Sequence, residues 1–282
     1  MSKIALVTDS ACDLTDEELK ECGARLLPLR IIYADKEYRD RVEIHPDEVY
    51  ANLEKEVPKT SLPSGEDIEA LYRELKDEGY THVLGVFISS GLSGTANAVK
   101  MYAEEHPSMV THVFDTKNLS MAEGITVLEA GRLIKSGMAL EEILEKLAAF
   151  QETIDTYYYV DTLEYLMKGG RIGKVAGTIG QLLNLKPIIS VNRDGIYYTI
   201  AKAKGRKQAL LRLVGILEEN LAKYKCNVYV MHGAALEEGK ALVETIMKMK
   251  NVQSMDLRQI SPALGVHTGK GLLGICLQRN PL

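Results

Sequence analysis

No apolar stretch in this sequence approaches the roughly 20 residues that a membrane-spanning helix needs. The opening segment, MSKIALVTDS, lacks a long apolar region with a small-residue cleavage site, so no signal peptide is expected. Cysteine is sparse. Cys12, Cys22, Cys226 and Cys276 form no C-x-x-C pair, which argues against a metal knuckle or a redox pair. Reduced thiols and a cytoplasmic location are expected. No basic run is present to track a phosphate backbone. With 34 basic and 39 acidic side chains and a net charge of −5, nucleic acid is not an expected partner. A G-x-S-x-G nucleophile elbow is missing too.

What is present reads as an ordinary soluble globular chain, 46% apolar and 26% charged. Its 282 residues suffice for two domains or one large one. KIALVTD (3–9) predicts a buried strand ending in a polar loop. Thr15 with Glu18 forms a capping box for the next helix, and Gly23 suits its end. RLLPLRIIY (25–33) predicts one further strand, with ADKEYRD as a turn after it. Pro46 suits the start of a helix, and Ser64 with Asp67 opens another that Gly79 closes. THVLGVFIS (81–89) and VTHVFDT (110–116) are two more strands, separated by a helix over 94–105.

Strand, polar loop and helix in repetition predict a parallel sheet with helices on both faces. Ligands in such sheets lie beyond the carboxyl ends of the strands. The loops at Asp9–Ser10, Ser89–Thr95 and Asp115–Asn118 should therefore converge on one edge. After two helices in 122–154 the texture changes to strand-like DTYYYVDT and a glycine-rich helical stretch from Leu163. A hairpin around Asp194–Gly195 follows, then helices over about 206–222 and 237–250 with strands NVYVMHG and GLLGICLQ. The expected fold is α/β. It has an N-terminal, mostly parallel sheet flanked by helices (1–155) and a C-terminal α+β domain (156–282).

Four segments carry candidate chemistry. GVFISSGLSGTANAV (85–99) gathers small hydroxyls and glycines between a strand and a helix, where bare backbone N–H groups and the helix dipole suit an anion. It is neither a P-loop nor a G-x-G-x-x-G turn. In KTSLPSG (59–65), Ser64 is explained as a cap, but Thr60 and Ser61 are not. LMKGGRIG (166–173) sets Lys168 and Arg171 among glycines, each of which costs a helix about 1 kcal/mol against alanine. SPALGVHTGKGLLGI (261–275) places His267 among small residues. On these residues alone, a hydrolase or phosphotransferase using Ser93 and His267 stands as an alternative to an anion-binding protein.

Six segments, in order along the chain, resemble the DegV family of bacterial fatty-acid-binding proteins, specifically its FakB type. They are VTDSACDL, TSLPS, ISSGLSGT, LMKGGRIG, LNLKPIISV (183–191) and GVHTGKG (265–271). The resemblance implies a long-chain fatty acid buried between two domains, its carboxylate held by Thr60 and Ser93. Ser61, Gly94, Thr95 and His267 are the expected supporting residues. No catalytic residue, metal or cofactor is implied. A separate ATP-dependent fatty-acid kinase would convert the bound acid to acyl-phosphate for phospholipid synthesis. Lipid exchange would bring transient contact with a membrane. Arg171, His267 and Lys204 are the expected partner-facing residues. Lys204 stands where the family commonly has arginine, with Arg206 two residues on. Lys270 stands where the family often has proline, and would add positive charge near the carboxylate.

Overall fold

The computed structural model describes residues 3–181 and 185–282. In chain order the N-terminal half runs β1 (Ile4–Asp9), α1 (Asp16–Cys22), β2 (Ala24–Leu27), β3 (Arg30–Ile32), β4 (Glu37–Arg39), α2 (Pro46–Asn52), β5 (Lys59–Ser61), α3 (Gly65–Asp77), β6 (His82–Phe87), α4 (Thr95–Glu105), β7 (Val110–Asp115), α5 (Met121–Lys135) and α6 (Leu140–Gln151). The C-terminal half comprises β8 (Ile154–Tyr159), α7 (Glu164–Lys168), a 3-10 stretch (Gly173–Gln181), β9 (Leu185–Val191), β10 (Tyr197–Lys204), α8 (Gly205–Leu221), β11 (Lys225–His232), α9 (Leu236–Ile246), β12 (Val252–Gln259), α10 (Pro262–Thr268) and β13 (Leu273–Asn280).

The first sheet, β2-β1-β6-β7, is parallel throughout. Its central strands β1 and β6 are buried on both faces, as a parallel sheet covered by helices requires, while the edge strands β2 and β7 are only partly buried. Ala5, Val7, Val83 and Phe87 point to α3 and α4, against Ile68, Tyr72, Leu75 and Val99. Leu6, Leu84 and Val86 point the other way, into a core shared with the C-terminal half. The period-2 alternation thus serves two cores at once. A six-stranded sheet, β10-β9-β8-β13-β11-β12, organises the C-terminal half, and only its β11–β12 pair is parallel. Residue 155 falls within β8, which belongs to this sheet.

Four expectations need correcting. RLLPLRIIY is not one strand: β2 joins the parallel sheet, whereas β3 pairs with β4 and β5 in a small antiparallel sheet. Pro28 sits at the break and has no N–H with which to continue a ladder. ADKEYRD is not only a turn, since it contains β4, and TS of the hydroxyl cluster lies in β5. The helical reading from Leu163 fails after Lys168, because Gly170 and Gly173 take φ of +70° and +54°. Strand β12 and helix α10 went unpredicted.

The expected convergence of the polar loops occurs, and buried carboxylates produce it. Asp9 accepts hydrogen bonds from Ala11 N (2.9 Å) and Ile88 N (3.0 Å), tying the end of β1 to the loop after β6. Asp115 accepts from Ser90 N, and Asn118 O from Ser89 N. Asp13 accepts from Ser120 Oγ (2.5 Å) and, across the halves, from Ser261 N (2.7 Å). Asp40 accepts from Ser10 Oγ (2.5 Å) and from Ala263 N (3.2 Å). Ser261, Pro262 and Ala263 begin α10. Pro262 has no N–H, so the two carboxylates supply acceptors where a capping side chain is missing.

Burial pushes the Asp9 and Asp13 carboxyls up to about 6 and that of Asp40 up to about 7. A carboxyl raised in the folded state stabilises fully below its ordinary value, 3.8, and loses that contribution as pH rises through the folded value. We therefore expect Asp40→Asn to lose less thermal stability than the parent between about pH 5 and about pH 8. Equal losses in thermal melts would contradict this account of Asp40.

Candidate functional site

The loop after β6 turns on its own hydroxyls. Ser93 N and Leu92 N both donate to Ser89 O. Gly94 is the N-cap of α4 and has no side chain to offer. Ser93 takes that role one residue earlier: its Oγ accepts from Thr95 N (3.3 Å) and lies 2.9 Å from Thr95 Oγ1. Ser89 Oγ donates to Gly195 O (2.8 Å), fixing the loop to the β9–β10 hairpin. A Cβ at Gly195 would meet that Oγ at 1.9 Å, and one at Gly91 would meet Gly195 O at 2.5 Å. The glycines here permit contact between the halves.

Three further elements face this loop. Strand β5 presents Thr60 and Ser61 from the small sheet, paired to Ile31 and Arg30. Ser64 caps α3 in a capping box with Asp67, and Arg30 bonds both residues. Helix α10 brings His267, whose Nε2 lies 2.7 Å from Thr60 Oγ1. The turn after α7 brings Arg171, which donates to Leu92 O (3.1 Å) and Gly169 O (2.6 Å) and so latches the two glycine-rich motifs together. Gly169 is pressed against the imidazole, where a Cβ would lie 2.0 Å from Nδ1.

The result is one cleft with two ends. Thr60, Ser61, Ser93, Arg171 and His267 form the polar end, without a carboxylate. Leu29, Ile88, Leu92, Leu119 and Leu264 form the apolar end. Its volume is about 40 Å³, against the roughly 300–1,000 Å³ of common small-molecule pockets. Room exists for a head group, and a longer ligand must displace the leucine and isoleucine side chains. A roomier cleft of about 510 Å³ lies beside Arg41 and Arg258, but it sets them against Asp16, Glu17 and Asp256 and suits no single charge.

Burial, then the positive charge of Arg171, pushes His267 down to about 4, so the ring is neutral near pH 7. Its Nδ1 is buried and has no hydrogen-bond partner among the described residues. No carboxylate orients the ring, and its Nε2 engages Thr60 rather than Ser93. The nucleophile–base bond that a Ser93–His267 catalytic pair needs is not formed among the described residues. These residues also hold no group of His, Cys, Asp or Glu suited to a metal, and no helix long and apolar enough to cross a membrane.

Sequence-predicted residues thus divide. Thr60, Ser61, Ser93, Arg171 and His267 line one cleft, with Gly94 and the buried Thr95 behind Ser93. Lys204 does not line it; it is exposed at the end of β10 as the N-cap residue of α8. Arg206 pairs with Glu238 and lies over the Tyr159 ring at 5.0 Å. Lys270 does not point at the cleft but pairs with Glu54 at 2.9 Å. Sequence reading missed the apolar end, Tyr197 of β10, and the roles of Asp13 and Asp40. It also passed over GKGLLG (269–274), which has dinucleotide-fingerprint spacing. That segment leaves a helix and enters β13, the reverse of the strand-to-helix order such a site requires.

A parallel-sheet α/β half, a mixed-sheet half and a hydroxyl-lined cleft at their joint define a distinct class of two-part α/β protein. The chain belongs to the DegV family: the model described as "Uncharacterised protein, DegV family" matches residues 3–280. A DegV domain-containing protein of Clostridium acetobutylicum is 50% identical, over 98% of this chain and 99% of its own. Among solved structures, one described as fatty acid binding of a DegV family protein from Thermus thermophilus superposes with TM-score 0.91 at 31% identity, covering 99% and 100% of the two chains. A stearic-acid-binding protein from Eubacterium ventriosum has TM-score 0.87 at 28% identity, covering 99% and 98%.

The enclosed imidazole gives a direct check. NMR of the His267 ring should show a neutral imidazole down to about pH 5, with a midpoint near 4. A midpoint near the ordinary value of 6.5 would show that neither burial nor Arg171 governs it.

Proposed function

We propose that the protein binds a long-chain fatty acid in this cleft, carboxylate at the Thr60–Ser93 end and tail in the apolar end. The observation that carries the reading is the cleft's polarity: hydroxyls, an arginine and a neutral histidine, no carboxylate, opening directly onto four leucines and an isoleucine. The fatty-acid-binding relatives support it. With its proton on Nε2, His267 donates to Thr60 Oγ1, and the Thr60 hydroxyl hydrogen turns to the carboxylate. Ser93 donates from the opposite wall, with Ser61, Gly94 and Thr95 in support. Burying about 14 methylenes yields on the order of 11 kcal/mol gross, before the costs of binding and of moving the side chains. Each hydroxyl bond to the charged head contributes about 1.5–3 kcal/mol. The tail supplies most of the affinity, and the hydroxyls set orientation and add the rest.

In this proposal residues 1–155 and 156–282 act as two domains, and the protein is a cytoplasmic acyl carrier rather than an enzyme. A separate fatty-acid kinase performs the chemistry. A carboxylate oxygen attacks the terminal phosphorus of the partner's ATP, the acyl–phosphate bond forms, and ADP leaves. Arg171, His267 and the exposed Lys204 face that partner, and loading takes place in transient contact with a membrane.

Protein purified from bacteria, denatured and extracted, should release about one fatty acid per chain by mass spectrometry. Thr60→Ala and Ser93→Ala should each weaken binding by about 10- to 100-fold. An empty protein that also ignores added oleate and palmitate would overturn the proposal.

A further inference from the structure

A second groove, of about 320 Å³, opens beside the polar end of the cleft. The two share a wall made of Thr60, Arg171 and His267. Lys59 and Lys168 also line it, and no acidic residue does. Lys59 is exposed and has no carboxylate within ion-pair distance among the described residues. Lys168 is bound to Glu164 at 2.6 Å, but both side chains are 54% exposed, and such a pair is weak and readily exchanged. Arg171 gives its hydrogen bonds to two neutral carbonyls, so its charge too is uncompensated by a carboxylate among the described residues. That charge depresses the neighbouring imidazole. Two cations without a counter-charge and a third in an exposed, exchangeable pair, in a groove large enough for a small ligand, form a site for a compact dianion.

Resting on the fatty-acid reading above, we propose that this groove is a phosphoryl-binding subsite, in which Lys59 and Lys168 hold a phosphate next to the acyl carbonyl seated in the cleft. The shared wall fixes the geometry. An oxygen bound at Thr60 faces both the cleft and the groove, so a phosphorus attached to it emerges between the two lysines. A free carboxylate at Thr60 lacks the phosphoryl oxygens that would extend into the groove. The lysines therefore discriminate between an acid and its phosphorylated form.

The test compares palmitate with the non-hydrolysable palmitoyl phosphonate, by calorimetry, on the full chain and on the Lys59→Gln, Lys168→Gln double variant. The phosphonate should lose about tenfold in affinity, and palmitate should change less than about twofold. Line broadening of inorganic phosphate in ³¹P NMR separates the sources. Lysine-dependent broadening together with the phosphonate loss assigns the subsite to the ligand's own phosphoryl group. Lysine-dependent broadening without that loss assigns it to a phosphoryl group from a separate molecule. No dependence in either measurement overturns the subsite, as does an equal loss for palmitate and phosphonate. If the parent protein binds neither lipid, the fatty-acid reading fails, and the phosphate broadening alone then decides whether the groove is an anion site.

Discussion

Two buried carboxylates at the joint between the halves carry the arrangement of this protein. Asp13 and Asp40 belong to the N-terminal half, yet each accepts a backbone N–H from the start of α10. Their other oxygens are taken by Ser120 and Ser10. Burying a carboxyl is costly unless it is fully hydrogen-bonded, and the raised values of both groups record that cost. In return, a seven-residue helix too short to be stable alone is held in one place and direction. A paired Arg258–Glu18 bridge, 2.6 Å and mostly buried, fastens the halves nearby.

That placement reaches the cleft through rigid steps. Helix α10 runs from the carboxylates to His267, which meets Thr60 of β5. The ring is backed by Gly169, and Gly169 is held by Arg171, which also holds Leu92. So the polar end is assembled from four separate segments, none of which holds a head group by itself. Neutrality of the histidine follows from the same packing. A charged ring would meet Arg171 without a carboxylate to offset either. The site can therefore offer hydrogen-bond donors without depending on a histidine proton that comes and goes near pH 7.

Much of this was legible in the sequence where local signals agree. The apolar runs of β1, β6 and β7, the Thr15–Glu18 and Ser64–Asp67 capping boxes and the Asp194–Gly195 turn all read correctly, because propensity, pattern and cap point the same way. Strand β12 was illegible because it is a sheet edge, VQSMDLRQ, in which five of eight residues are polar and no clean apolar alternation survives. The break after Lys168 was hidden by leucine, methionine and isoleucine at helical spacing around the glycines. Thr60 and Ser61 could be singled out as hydroxyls without a local task, but spacing could not show that they share a cleft with Ser93. Only the resemblance to DegV proteins joined them before the fold did. Lys204 and Lys270 show the limit of carrying a position over. Their side chains sit where the register of β10 and the Glu54 pair put them, away from the cleft.

The most direct test of the central claim is a crystal structure of the protein with palmitate bound. The account predicts the carboxylate within about 3 Å of both Thr60 Oγ1 and Ser93 Oγ, with the tail displacing Leu29, Ile88, Leu119 and Leu264. A carboxylate seated instead beside Arg41 and Arg258, with the Thr60–Ser93 cleft unchanged, would contradict it.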